Sequence, residues 1–310
     1  MEAVLSILPK DLSDRIRNLV EQKTITLEEI RLRLHRPIEL MGTGQVLYLD
    51  QQRLLTSQDM KVLMGNLSAY SLYTLEEELK RGYVTISGGH RVGINGKVVT
   101  EGSHVKMIRD VSSLNIRIAR EKIGVAEPLA HFLFDKGQWL STLVIGSPQT
   151  GKTTLLRDLA RVISSGLEKR APHKVGIVDE RSEIAGCIRG VPQNTFGIRV
   201  DVLDACPKAE GMMMMIRSMS PDVLIVDEIG RQEDTEAMLE ALNAGVSVMA
   251  TAHAYNLEQL WKRPTLKPLL DHQVFSRFVI LENDARQGRL YTVYNDSGVC
   301  LSSRKSVRVG

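Results

Sequence analysis

The chain has 310 residues, 43% of them hydrophobic, and 40 basic against 37 acidic residues give a formal charge of only +3. So balanced a surface argues against recognition of nucleic acid by charge alone. No run approaches the about 18 consecutive apolar residues of a membrane span, so any membrane role would be peripheral.

The length suits two domains, or one with a large extension. Cys187, Cys206 and Cys300 have no short paired spacing, which argues against a disulfide framework or a zinc knuckle and fits a reduced, cytosolic compartment. The opening stretch MEAVLSILPKDLSDRI has an acid at position two and a proline and charges by position ten, unlike a secretory leader.

Texture divides the chain near residue 130. Before it, EEIRLRLHRPIEL alternates Ile30, Leu32 and Leu34 with Arg31 and Arg33, the period of a half-buried strand. The segment TSQDMKVLMGNLSAYSLYTLEEELKRG predicts one or two helices ending at Gly82, and GYVTISGGHRVGINGKVV predicts short strands joined by hairpins at Gly-Gly and Asn-Gly. Residues 1–130 are therefore expected to form a small α+β domain.

From 131 to 310 the pattern becomes strand, helix, strand, helix. STLVIG predicts a buried strand, and Leu155, Leu156, Leu159 and Ile163 recur at helical spacing until Gly166. KVGIVD, DVLIVD and VSVMAT are further strands and EDTEAMLEALNAG a helix, which implies a mostly parallel sheet covered on both faces. Residues 181–210 read as a long irregular insert. Met212 to Met215 cannot form one stripe at 100° per residue, so they predict a helix buried on several sides or at a subunit contact.

The stretch Gly146-Ser147-Pro148-Gln149-Thr150-Gly151-Lys152-Thr153-Thr154 follows the phosphate-loop pattern of Gly, four residues, Gly, Lys, Ser or Thr. Glycines let backbone N–H groups curl around phosphate oxygens at the positive end of the next helix. Lys152 then faces the β and γ phosphates of ATP, and the Thr153 hydroxyl suits Mg2+. In PDVLIVDEIG a buried strand delivers Asp227 and Glu228 to its carboxyl end, where such sheets place ligands. Asp227 suits the Mg2+ water shell and Glu228 the general base, which together predict hydrolysis. Asp179, Glu180 and Glu183 end one neighbouring strand, and Thr251 and His253 another; polar groups there can sense a γ-phosphate.

This order of motifs resembles the type II and type IV secretion ATPases. Agreement is closest with the stage III sporulation AA family of endospore-forming bacteria, through GGHRVGINGKVV, SSLNIRIARE and VDERSEIAG. The resemblance implies a RecA-like ATPase core with a smaller N-terminal domain and a homohexameric ring. It also implies a place in the mother-cell cytoplasm, peripheral at the inner face of a membrane, under a channel complex that joins mother cell and forespore. It likens Glu183 to the last acid of the secretion family's aspartate box and His253 to the histidine of its histidine box. Arginines of the N-terminal domain would neutralise the γ-phosphate, with Arg91, Arg117 and Arg120 as candidates. The secretion family often has glycine at the place of Asp227, and its arginine directly follows the isoleucine; here Gly230 intervenes and Arg231 comes one step later. An ATP-driven motor is the favoured function. A nucleic-acid translocase and a nucleotide-gated scaffold with incidental turnover are the alternatives.

Overall fold

The chain divides into two compact units, Met1–Arg120 with Gly186–Gln193, and Glu121–Ala185 with Asn194–Gly310. Residues 121–130, assigned by texture to the N-terminal domain, group with the second unit. The structure is a computed structural model that describes every residue except 24, 43, 70–81, 103, 169, 285–287 and 307–310.

In the first unit, α1 (Glu2–Ile7), α2 (Lys10–Lys23) and α3 (Ser57–Ala69) share a core with a six-stranded sheet. Its strands are β1 (Leu27–Arg33), β2 (Glu39–Gly42), β3 (Gln45–Tyr48), β4 (Tyr83–Ile86), β5 (His90–Glu101) and β6 (His104–Arg117), in the order β3-β2-β1-β6-β5-β4, all antiparallel. Ile30 and Leu32 are fully buried, as their alternation on β1 predicts. The helical stretch expected up to Gly82 continues onto residues 70–81, outside the described residues.

Gly88 and Gly89, at φ 84° and 71°, make the expected turn between β4 and β5. The Asn95-Gly96 hairpin is not formed. β5 runs on to Glu101, and between the pairs Asn95–Ser113 and Lys97–Arg109 the register shifts, so β6 bulges opposite Gly96. A Cβ on Gly96 would lie 2.6 Å from the Arg109 carbonyl oxygen, so glycine serves close strand approach here and not chain reversal.

The second unit opens with a 3-10 turn (Glu127–Leu129), α4 (Ala130–Leu133) and the short pair β7 (Phe134–Asp135) and β8 (Gln138–Trp139). Its main sheet comprises β9 (Thr142–Gly146), β10 (Val175–Asp179), β11 (Val200–Asp204), β12 (Val223–Val226), β13 (Ser247–Ala252), β14 (Arg277–Asp284), β15 (Gly288–Asn295) and β16 (Cys300–Ser306). The order is β11-β10-β12-β13-β9-β14-β15-β16. From β11 to β14 neighbours run parallel; β15 and β16 add an antiparallel edge.

Both faces of the parallel strands are covered, which is why β9, β10 and β12 read as continuous apolar runs. On one face, α5 (Lys152–Ser165) buries Leu155, Leu156, Leu159 and Ile163 against Val144, Ile177 and Ile225. On the other, α6 (Lys208–Ser218), α7 (Gln232–Asn243), α8 (Leu257–Trp261) and α9 (Lys267–Asp271) pack against Leu143, Ile145, Val178 and Leu224.

Two expectations change. The insert 181–210 is not irregular throughout, because it contains β11 and the start of α6. β11 is an acid-interrupted edge strand, VDVLD, only partly buried, so no apolar run marks it. The four methionines divide by helical position. Met212 and Met215 enter the core, Met213 is half-buried, and Met214 is 52% exposed.

Candidate active site

The loop between β9 and α5 has its shape from glycine. A Cβ on Gly146 would lie 2.6 Å from Thr150 Oγ1 and 2.7 Å from the Leu281 carbonyl oxygen. Gly151 caps α5 at φ 95°, a left-handed conformation that glycine adopts without steric penalty, and Gln149 also has positive φ at 65°. Thr150 donates to the Ser147 carbonyl at 2.9 Å and closes the loop from inside.

Lys152 folds back into this loop. Its Nζ donates to the carbonyl oxygens of Gly146 and Ser147, each at 2.9 Å, and lies 3.1 Å from His253 Nδ1. Burial lowers its pKa, opposed by the negative charges of Asp227 and Glu228. On the next residue, the Thr153 hydroxyl donates to Asp227 Oδ2 at 2.6 Å, tying the loop to the end of β12.

Asp227 and Glu228 are coupled through β13. Thr251 Oγ1 donates to Asp227 Oδ1 and accepts the Glu228 N–H at 2.8 Å. Glu228 has a left-handed backbone, φ 51°, unusual for a side chain of its length and a strain of the kind found at functional sites. Arg181 Nη1 contacts its Oε2 at 2.7 Å and His253 Nε2 its Oε1 at 3.4 Å. His253 thus stands between Lys152 and Glu228.

One pocket of about 440 Å³ gathers Pro148, Gln149, Gly151, Lys152, Thr153, Thr154, Glu183, Asp227, Glu228, Thr251 and His253. Gly146, Ser147 and Thr150 lie behind its lining as loop structure. Arg91 and Arg117 face each other across β5 and β6 in the first unit, and Arg91 stacks its guanidinium 3.4 Å from the Tyr83 ring centre. Arg120 donates to the Leu27 carbonyl at 2.7 Å. Arg231 caps α7 with Asp234 and lies 3.7 Å from Glu180, which Lys208 also pairs at 2.5 Å.

Asp179 holds the segment that presents Glu183. Its carboxylate accepts the N–H groups of Glu183, Ile184 and Ala185 at 2.8, 2.9 and 2.8 Å, while Arg157 on α5 donates to the carbonyls of Glu183 and Ile184 at 2.5 and 2.8 Å. Burial lifts the Asp179 pKa to about 6, against the pull of those N–H donors. Folding therefore favours the protonated form relative to the unfolded chain. Stability from this group is present below the unfolded value of 3.8 and is lost as pH rises through about 6. Asp179→Asn cannot ionise, so its stability deficit relative to wild type should narrow between pH 4.5 and 7, by on the order of 1–3 kcal/mol. Thermal melts across that range check it; a deficit that widens with pH refutes it.

Arg157 and Arg181 were not singled out from sequence. Arg181 stands inside VDERSEIAG, where the acids alone suggested chemistry, and its partner lies 47 residues away. Arg157 sits within the helical repeat of α5, whose pattern points only to packing.

Fold and pocket together define the class: a RecA-like P-loop ATPase fold of the secretion type. A structure of the Legionella pneumophila ATPase DotB superposes with a TM-score of 0.63, covering 93% of this chain and 81% of that one at 17% identity. The pilus retraction motor PilT, in a structure with bound ADP, gives 0.59, 89%, 80% and 16%.

The chain belongs to the family described as "Sporulation stage III, protein AA", whose model matches residues 3–301. Stage III sporulation protein AA of Bacillus subtilis (strain 168) is 54% identical to it over 308 residues, 99% of each chain.

Proposed function

We propose that the chain binds ATP with Mg2+, hydrolyses it, and works as a homohexameric motor for assembly of, or transport through, a membrane channel between mother cell and forespore. The observation that carries this reading is the meeting, in one pocket, of a phosphate-loop lysine, a hydroxyl paired with one strand-end carboxylate, and a second carboxylate set against a histidine. Membership in a sporulation family and a fold shared with DotB and PilT support the rest. Among the described residues no helix is long and apolar enough to cross a membrane, which agrees with a peripheral position at its inner, mother-cell face.

The donor set fits Mg2+. Thr153 and Asp227 offer two hard oxygens, and among the described residues no group of three or more His, Cys, Asp or Glu could hold a metal. Mg2+ suits so few protein ligands because it keeps waters and takes phosphate oxygens, and when bound it neutralises charge on the phosphates. Backbone N–H groups of residues 149–153 and the Lys152 ammonium hold the phosphates. Glu228 takes the proton of the attacking water, with Arg181 and His253 fixing the direction of its carboxylate. His253, between Lys152 and Glu228, links phosphate occupancy to the base. Arg91 and Arg117 are the proposed arginines for the γ-phosphate, supplied by a neighbouring copy. The test is phosphate release by the purified chain. Release that requires both ATP and Mg2+ is expected, and none above the protein-free rate would overturn the reading.

A further inference from the structure

Away from the nucleotide pocket, α6 and α7 form the two walls of an open groove of about 930 Å³. Glu210, Met213, Met214 and Arg217 recur on α6 at spacings of three and four, and Glu233, Glu236, Ala237 and Glu240 do so on α7, so each set forms one helix face. Ala209, Met213 and Ala237 make an apolar floor, with Met214 standing 52% exposed beside it. Four glutamates against one arginine leave the rim strongly acidic. None of these residues lines the nucleotide pocket.

We propose that this groove binds a basic amphipathic helix from a different polypeptide. A helix lays its apolar face into such a groove, and methionine, unbranched and polarizable, adapts to the side chains that enter. The acidic rim selects lysine and arginine along the flanks of that face. α6 and α7 have 11 and 12 residues, a length of about 16 Å, which matches about three turns of the incoming helix.

Among the described residues, no helix of a second copy offers such a face. Among the described residues, α1, α2, α3, α5, α6 and α7 and the shorter α4, α8 and α9 already bury their apolar faces in the chain's own cores. An occupant with a free apolar and basic face is therefore assigned to a different polypeptide.

The test uses the full chain and a synthetic, fluorescently labelled peptide of about four turns, built of leucine and lysine at helical spacing. A second peptide has the same composition in an order that spreads leucine around the helix. The patterned peptide should bind at least about tenfold more tightly than the other, and less tightly as salt rises. Glu236→Lys with Glu240→Lys, both exposed positions tolerant of lysine, should weaken binding by about tenfold or more, and Met214→Gln by a few-fold. Circular dichroism confirms that each variant folds. Equal binding of the two peptides, or unchanged affinity in the charge-reversal variant, overturns the proposal. So does a change of oligomeric mass in that variant, which would make the groove a contact between copies.

Discussion

Replacing Glu228 by glutamine is expected to lower ATP turnover by about 10²-fold or more while leaving ATP affinity within a few-fold of normal. The amide has the carboxylate's shape and keeps an oxygen for Arg181, which now donates to Oε2 at 2.7 Å. The main-chain anchor to Thr251 and the Asp227–Thr153 bond are untouched, so the phosphate and Mg2+ side of the pocket is preserved. What is lost is basicity. Steady-state phosphate release and nucleotide titration separate the two effects, and unchanged turnover would remove Glu228 from the role of base. The same variant tests the arginines. Glu228→Gln mixed with Arg117→Ala under subunit exchange should regain part of the activity, because some contacts would join an intact Glu228 to an intact Arg117 from the next copy. Exchange shown by mass with no recovered activity would exclude Arg117 as an arginine acting across copies, and Arg91 would then take its place in the mixture.

Lys152→Ala should abolish measurable ATP binding, a loss of about 10³-fold or more, because among the described residues no second lysine or arginine lines the pocket at the loop to face the β and γ phosphates. The Lys152 ammonium is held by two loop carbonyls and the His253 ring nitrogen. Removing it also takes a donor from both carbonyls, although Thr150 still donates to that of Ser147, and a buried group left unsatisfied costs about 1–3 kcal/mol. A thermal melt therefore accompanies the titration to show that the variant is folded. Near-normal affinity in a folded Lys152→Ala protein would end the phosphate-loop assignment.

Lys152 and Glu228 are both legible along the chain. The proposed role of Lys152 follows from local spacing, because glycines, a lysine and a threonine between a buried strand and a helix leave the backbone few alternatives. Glu228 was visible for the same kind of reason, at the end of a four-residue apolar strand. The strands β10, β12 and β13 and the helix α7 were equally legible, since burial on both faces, or on one helical face, writes a period into the sequence.

Other features have no local period. Arg181 reaches Glu228, and Arg157 reaches the segment that Asp179 holds, only because β10 and β12 are neighbours in the sheet and α5 packs across it. That Asn95-Gly96 stays within β5 follows from the bulged β6 opposite, whose Arg109 carbonyl leaves room only for glycine. β11 is a strand because the β10 edge supplies its hydrogen bonds, and its own acids conceal it. The sequence by itself determined the phosphate loop, the acid-tipped strands and the α/β class, because spacing along the chain encodes them. Tertiary structure alone decided which arginine meets which acid, where residues 186–193 belong and which methionines remain outside the core, because those outcomes depend on neighbours distant in the chain.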